Sequence, residues 1–483
     1  MYRLFQVLFL LCIPLSLISQ TIEVPKKALR QINAKELKQS LSVLTSDSLE
    51  GRDTGSPGGE KAATFIENQF RTLGLEPLAN QSYRQSFTLW KSNWSRPYAK
   101  VNGVQLDGNT QIDYLGYVPL NDTLLHDIIF FGNGMDSSYQ TVDVSNKIVF
   151  VLSSDMKKTY SVTSPLEKRG AWGVFMVNSE DTTQFNSITE KQSQFRSAMN
   201  VSKIKPSVRE IGTKLFVLPT NITTLFFNKT IDELKSMTPH EVIQQPLTAQ
   251  VLLSCSQAIE PIQVDNIIGV LKGTDKSDSI VAITAHYDHI GRKASGICRG
   301  ADDNGSGVST ILEVARVFEK MKQIPKNDIW FIAFTGEEMG LLGSADFMDK
   351  MSETAFKANI NVDMIGRHDT LSKNNYVYIL GTDQSPWLHA LHQQANKQSV
   401  KLKLDYEYNN SNSNSSFIRR SDHYQFFKNK IPVIAFFSGL HGDYHTPADT
   451  MDKIDFPLFE KRVKLVYSTA YLISNGWKIE ESK

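Results

Sequence analysis

The chain has 483 residues, 41% hydrophobic, 10% aromatic and 21% charged. This ordinary globular composition, with room for about three domains, excludes a collagen-like, wholly disordered or polytopic membrane protein. Lys and Arg number 52 against 51 Asp and Glu, a net charge of +1, so there is no global field to hold nucleic acid or an anionic membrane, and neither is expected as a partner.

In chain order, Arg3 precedes an apolar run from Leu4 to Ile18 that ends at Ser19-Gln20. This is the layout of a signal peptide spanning residues 1–19. The run is short for a bilayer-spanning helix, and no second apolar stretch of spanning length comes after it. The mature protein is expected to be secreted or periplasmic, without stable membrane insertion. Cys255 and Cys298 remain after the leader; they can pair in an oxidising compartment or stay as thiols. Two cysteines are too few for a disulfide scaffold or a Cys-rich zinc module.

Between Glu50 and Leu75 a Gly/Pro-rich turn leads into an amphipathic helix, with Ala62, Phe65, Ile66 and Phe70 at helical spacing and Gly74 at its end. From about Val101 the texture changes to short apolar runs (Ile128 to Phe131, Ile148 to Leu152, Gly170 to Val177) separated by turn residues. Residues 101–250 contain no catalytic constellation and read as a β-rich insert.

From Asn266 strands alternate with helices. Strands are predicted over Ile267 to Leu271, Ser279 to Ala285, Ile329 to Phe334, Ile360 to Met364, Val377 to Leu380 and Ile431 to Phe437. Helices are predicted over Ser309 to Lys322, Pro386 to Asn396 and Pro457 to Ser474. The fold class is α/β, a mainly parallel central sheet with helices on both faces. Sites in such sheets lie at the carboxyl ends of the strands. Asn409 to Ser416 is a polar low-complexity loop.

Five polar clusters come after these apolar runs: His286-Tyr287-Asp288-His289, Gly300-Ala301-Asp302-Asp303-Asn304-Gly305-Ser306-Gly307, Thr335-Gly336-Glu337-Glu338, Asn361-Val362-Asp363-Met364-Ile365-Gly366, and His441-Gly442-Asp443-Tyr444-His445-Thr446-Pro447. Singly, each reads as an ordinary strand end or turn. Together they supply imidazoles and carboxylates without thiolate, a ligand set suited to zinc. Asp363 lies inside an apolar run, where a charge is costly unless paired or metal-bound.

The ordered set HYDH, GADDNGSG, TGEE, NVDMIG and YHTPAD resembles the co-catalytic di-zinc aminopeptidases of the bacterial leucyl aminopeptidase type. The segment EGRDTGSPGGEKAA is similar to the start of that family, and the insert, with its Asp143 to Val149 and Gly170 to Val177 stretches, resembles a protease-associated domain. The resemblance implies a zinc peptidase fold in which residues 20–100 and 251–483 build the peptidase and 101–250 the insert. It implies two zinc ions per chain, one on His286 and Asp363 and the other on Glu338 and His445, bridged by Asp303. Glu337 is then the general base, Asp288 orients His286, and Tyr444 hydrogen-bonds the oxyanion. The substrates implied are peptides with a free N-terminus. Glutaminyl cyclisation or carboxypeptidase/dipeptidase action on the same scaffold stays open, as does a non-catalytic receptor of this fold. A carboxypeptidase would need cations near the site, for which Arg292, Arg299, Arg367, Arg419 and Arg420 are candidates. Ser421-Asp422-His423 is assigned a structural or pocket-lining place, Cys298 a place near the site mouth.

Overall fold

The computed structural model describes residues 22–476 apart from 79–80, 109, 135, 154–158, 179–184, 192–200, 208–211, 213, 276–278, 294, 323, 371–373 and 412–416. The leader and the end of the polar loop therefore lie outside the described residues. Among the described residues no helix is long and apolar enough to cross a membrane.

Two compact units partition the chain. Met1–Gln85, Asp265–Glu337 and Gly343–Lys483 form one; Ser86–Val264 with Glu338–Leu342 form the other.

In the first unit the principal elements are α1 (Ala34–Leu44), α2 (Pro57–Thr72), β1 (Gln257–Leu271, entering from the second unit), β2 (Ile280–His286), α3 (Gly307–Met321), β3 (Ile329–Phe334), α4 (Leu342–Lys350), β4 (Phe356–Val362), β5 (Tyr376–Leu380), α5 (Pro386–Gln398), β6 (Lys403–Asp405), α6 (His423–Lys428), β7 (Val433–Phe437) and α7 (Phe456–Ser474). The strands lie in the order β6-β5-β7-β4-β2-β3-β1. The inner quartet β7-β4-β2-β3 is parallel throughout. β1 runs antiparallel to β3, and β5 antiparallel to β7.

Side chains alternate across a strand, so a sheet covered on both faces needs continuous apolar runs. β2 and β3 show this. Val281, Ile283, Ala285, Ile329, Phe331 and Ala333 enter the core shared with α1, α2, α3 and α7. Ala282, Trp330, Ile332 and Phe334 enter the opposite core with Phe347 and Met348 of α4 and Phe426 of α6. Helix ends obey local chemistry. Ser56 accepts from the Gly59 N–H at 3.1 Å at the start of α2, Pro57 occupies its first turn, and Gly74 beyond its end takes φ 77°.

The second unit is built on an eight-stranded sheet in which Leu120–Phe130, Ile148–Ser153, Gly173–Asn178 and Leu215–Leu218 are successive parallel neighbours, extended by antiparallel strands that include Thr248–Cys255. Its core is aromatic, with Phe150, Phe175, Phe216, Phe226 and Phe227 in edge or tilted contact. This unit extends beyond residues 101–250 at both ends. Cys255 and Cys298 are both buried.

Candidate metal centre

Because β7, β4, β2 and β3 are parallel, the segments leaving their carboxyl ends emerge at one edge of the sheet. His286 is the last residue of β2, Asp363 comes directly after β4, Glu337 three residues after β3, and His441 to His445 shortly after β7. The Gly300–Gly307 segment leads into α3 beside them. Asp363 was expected within a strand reaching Met364. The strand instead ends at Val362, because Met364 takes a left-handed φ of 54°, and Asp363 stands at the strand end with its side chain 17% exposed.

Asp303 sits between two imidazoles. Its Oδ1 is 3.4 Å from Nε2 of His286 and its Oδ2 is 3.1 Å from Nε2 of His445. Nε2 of His286 is also 3.4 Å from Oδ1 of Asp363 and 3.9 Å from Oε2 of Glu337. Two groups offer ligand atoms within 4.8 Å of one another: His286 with Glu337 and Asp363, and His289 with Asp303 and Glu338. One member of the Glu337-Glu338 pair falls in each group, so distance alone does not separate base from ligand.

His289 is an addition that sequence reasoning missed. It is fully buried, Nδ1 lies 3.7 Å from Oδ2 of Asp303, and its ring meets that of His445 edge to face at 5.7 Å. Its place in the HYDH cluster was the only signal.

The residues fit a pair of divalent cations. Imidazole nitrogens and carboxylate oxygens without thiolate suit zinc. Oδ1 of Asp363 is buried and accepts no hydrogen bond, a costly state unless a cation meets it. Electrostatics agree. Burial alone would lower the His286 pKa, but Glu337 and Asp363, aided by Asp288 and Asp303, hold it well above the ordinary imidazole value. Burial would raise the Asp303 carboxyl, yet His286, His289 and His445 hold it well below the usual range.

Asp288 supports His286 through its backbone. Its carbonyl oxygen is 3.1 Å from Nδ1 of His286, whereas its carboxylate is 3.7 Å away. A proton on Nδ1 donated to that carbonyl leaves Nε2 facing Asp303 and Asp363 as a metal ligand would. The Asp288 carboxylate is occupied elsewhere, accepting from Oγ1 of Thr54 at 2.9 Å and from the Glu337 N–H at 3.2 Å. It thus ties the N-terminal turn to the TGEE turn.

Tyr444 stacks on His445, with ring centroids 3.7 Å apart and planes at 25°. It borders a cluster formed by Met364, Tyr376, Tyr378 and Phe437 with the partly exposed Tyr408, Phe417 and Leu440. Cys298 lies with Sγ 4.0 Å from the His445 carbonyl oxygen.

Ser421-Asp422-His423 joins a buried polar ladder beneath the centre. Asn359 donates to Thr284, Thr284 to Asn361, and Asn361 to Oγ of Ser421, with Nδ1 of His423 3.2 Å from the Asn361 amide. Burial pushes the His423 pKa down to about 3, so the ring is neutral and its Nδ1 accepts from Asn361. Burial also pushes the Asp422 carboxyl up to about 7.

Residues 266–470 match the model of peptidase family M28. Over this stretch the chain is similar to peptidase family M28. The match takes in all five polar clusters. Over 218 residues the chain is 33% identical to aminopeptidase YwaD of Bacillus subtilis, a stretch covering 43% of this chain and 44% of that protein. It is 27% identical over 303 residues to a probable leucine aminopeptidase of Trichophyton verrucosum, covering 59% and 81%. The chain thus spans less than half of the Bacillus relative. Among solved structures, an M28-like fold recurs in an aminopeptidase from Aneurinibacillus sp. strain AM-1, with a TM-score of 0.54, 19% identity and coverage of 95% and 98%. It recurs too in the Bacillus subtilis zinc aminopeptidase BSAP, with a TM-score of 0.55, 21% identity and coverage of 93% and 97%.

Proposed function

We propose that this protein is a secreted zinc aminopeptidase that hydrolyses the N-terminal bond of peptides. The observation that carries the reading is Asp303, one carboxylate whose two oxygens face two imidazoles at the carboxyl edge of a parallel sheet. His286 and Asp363 would hold one zinc and Glu338 and His445 the other, with Asp303 as the ligand shared by both. Zinc bound there would supply Lewis-acid polarisation of the scissile carbonyl and a nucleophilic water at neutral pH. Glu337 takes the proton from the attacking water and returns it to the leaving amine as the C–N bond breaks. The Tyr444 hydroxyl donates to the oxyanion that develops on the carbonyl oxygen. The free amine of the substrate would lie close to the metal ligands and restrict cleavage to the first residue.

The arginines argue against a carboxypeptidase. Arg299 pairs with Asp47 at 2.7 Å and Arg367 with Asp443 at 2.8 Å, while Arg292 approaches Glu50 at 3.9 Å. Arg419 and Arg420 stand over the rings of Tyr424 and Phe417. The test is zinc per chain together with turnover of free-amine and N-blocked peptides. Two zincs with cleavage of free-amine peptides only is the expected result. One zinc with a cyclised glutaminyl product, or cleavage of N-blocked peptides at the C-terminus, would replace the reading.

The aromatic cluster beside Asp363 and His445 supports a preference for large apolar N-terminal residues. Trimming its partly exposed wall by Phe417→Ala is expected to lower kcat/KM for an N-terminal leucine about tenfold while changing that for alanine little, since apolar pocket contacts discriminate by roughly 10–200-fold. Equal losses for both would reject this pocket.

Zinc uptake should be proton-coupled. The raised pKa of His286 means that its imidazole carries a proton at neutral pH in the metal-free protein, and zinc must displace it. Affinity should therefore rise with pH below that pKa, by about tenfold per unit for each proton displaced, and level off above it. Calorimetry of zinc binding in buffers of different ionisation enthalpy counts the released protons; none released at pH 7 would contradict the assignment of His286.

A further inference from the structure

We propose that Asp449 and Arg52 are positioning residues that grip the turn carrying Asp303 from opposite sides and thereby set the affinity for zinc, a role that rests on Asp303 being the bridging ligand. Neither residue is in the ligand set, and Arg52 lies in the N-terminal EGRDTG segment, to which the chemistry above gives no task beyond the Thr54 hydrogen bond.

The Arg52 side chain is fully buried and spends its fork on backbone carbonyls. Nε donates to Tyr287 O at 2.8 Å, Nη1 to Leu44 O at 2.5 Å and Arg299 O at 2.6 Å, and Nη2 to Gly300 O at 3.0 Å. Its own carbonyl accepts from the His289 N–H at 3.1 Å. One side chain thus holds the chain just after His286 and the turn just before Asp303. Only a planar, multi-donor cation can satisfy four carbonyls in this way.

Asp449, also fully buried, takes the amides of the same turn. Its Oδ2 accepts from the Asp302 N–H at 3.0 Å and from the Asp303 N–H at 3.1 Å, and its carbonyl accepts from the Ala301 N–H at 3.2 Å. Oδ1 faces Nη1 of Arg367 at 3.4 Å. Asp449 lies four residues beyond His445, so one carboxylate ties the segment after β7 to the segment before α3.

Two N–H groups converging on one oxygen fix the peptide planes on either side of Asp302, and with them the direction of the Asp303 Cα–Cβ bond. The turn has no slack to absorb a change. Gly300 takes φ 55°, and a methyl group there would overlap the Asp303 carbonyl oxygen and the His289 ring. A displaced turn would therefore carry the Asp303 carboxylate with it. Removing a group that orients a ligand from outside the ligand set typically costs about 10–100-fold in metal affinity.

The test titrates zinc into Asp449→Ala, Asp449→Asn, Arg52→Lys and Asp303→Ala by competition with a chromophoric chelator, with kcat and KM measured at saturating zinc. Asp449→Ala should bind zinc about 10–100-fold more weakly and, when saturated, lose kcat with KM within about twofold of wild type. Asp449→Asn keeps an acceptor oxygen and should restore most of the affinity. Arg52→Lys keeps the charge but loses the fork and should weaken zinc binding; it decides the matter if Asp449→Ala does not fold. Wild-type zinc affinity in a folded Asp449→Ala or in Arg52→Lys, with only a lower Tm, overturns the proposal, as does Asp449→Asn behaving like Asp449→Ala. If Asp303→Ala itself keeps two zincs, the bridging assignment fails instead.

Discussion

Replacing Glu337 by Gln is expected to lower kcat by about a hundredfold to ten-thousandfold, the range supplied by a positioned general base, while both zincs stay bound. The amide keeps the shape of the side chain and removes the basic oxygen. Glu338→Gln should differ, losing zinc affinity together with activity. The contrast is needed because Glu337 and Glu338 each stand within ligand distance of a candidate metal group. Their roles rest on direction: the Glu337 N–H is held by the Asp288 carboxylate at 3.2 Å, which anchors the turn so that successive side chains leave it on different sides. Zinc content by elemental analysis, paired with steady-state kinetics, reads both variants. Should Glu337→Gln lose a zinc while Glu338→Gln keeps two and stops turning over, the roles are exchanged; should Glu337→Gln retain near-wild-type kcat, neither the base nor the mechanism stands.

The sheet was legible because its inner strands are apolar on both faces. Ile280–His286 and Ile329–Phe334 are buried at every position, and an uninterrupted apolar run bounded by turn residues reads as a buried strand whatever its neighbours do. The polar clusters were legible for the complementary reason, since each interrupts such a run where the chain leaves the sheet. What escaped depends on distant partners. Nothing in the sequence singles out Arg52 within its Gly-rich turn, whereas in the fold four carbonyls from three segments surround it. Asp449 was visible only as the end of YHTPAD, because the amides that donate to its carboxylate are 146 and 147 residues away. The edges of the second unit escaped for another reason. Arg84–Trp94 is a strand in which only Phe87, Leu89 and Ser92 are buried among mostly half-buried residues, a weak pattern. The composition accordingly changes well after the boundary at Ser86.

Asp303→Ala is expected to remove both zincs, and with them all measurable hydrolysis. The two oxygens of Asp303 face different imidazoles, so a single truncation takes one ligand from each ion, whereas Asp363→Ala should weaken one ion more than the other. Stability provides a readout independent of turnover. A ligand that binds only the folded state stabilises it by about 2.7 kcal/mol at a hundred times its Kd, so wild-type Tm should climb with added zinc and fall with a chelator. Removal of zinc leaves Asp303, Glu337, Glu338 and Asp363 with only protonated histidine to offset their charge, so the metal-free wild type should be the less stable form. Asp303→Ala deletes one of those charges. Its Tm should be insensitive to zinc and should fall below that of metal-free wild type, because the carboxylate that the surrounding histidines hold ionised is lost and their charge is left without that partner. A Tm that still rises with zinc as in wild type would mean that Asp303 lies beside the metals and does not bind them, and the bridge would have to be sought in the other group, at His289 and Glu338.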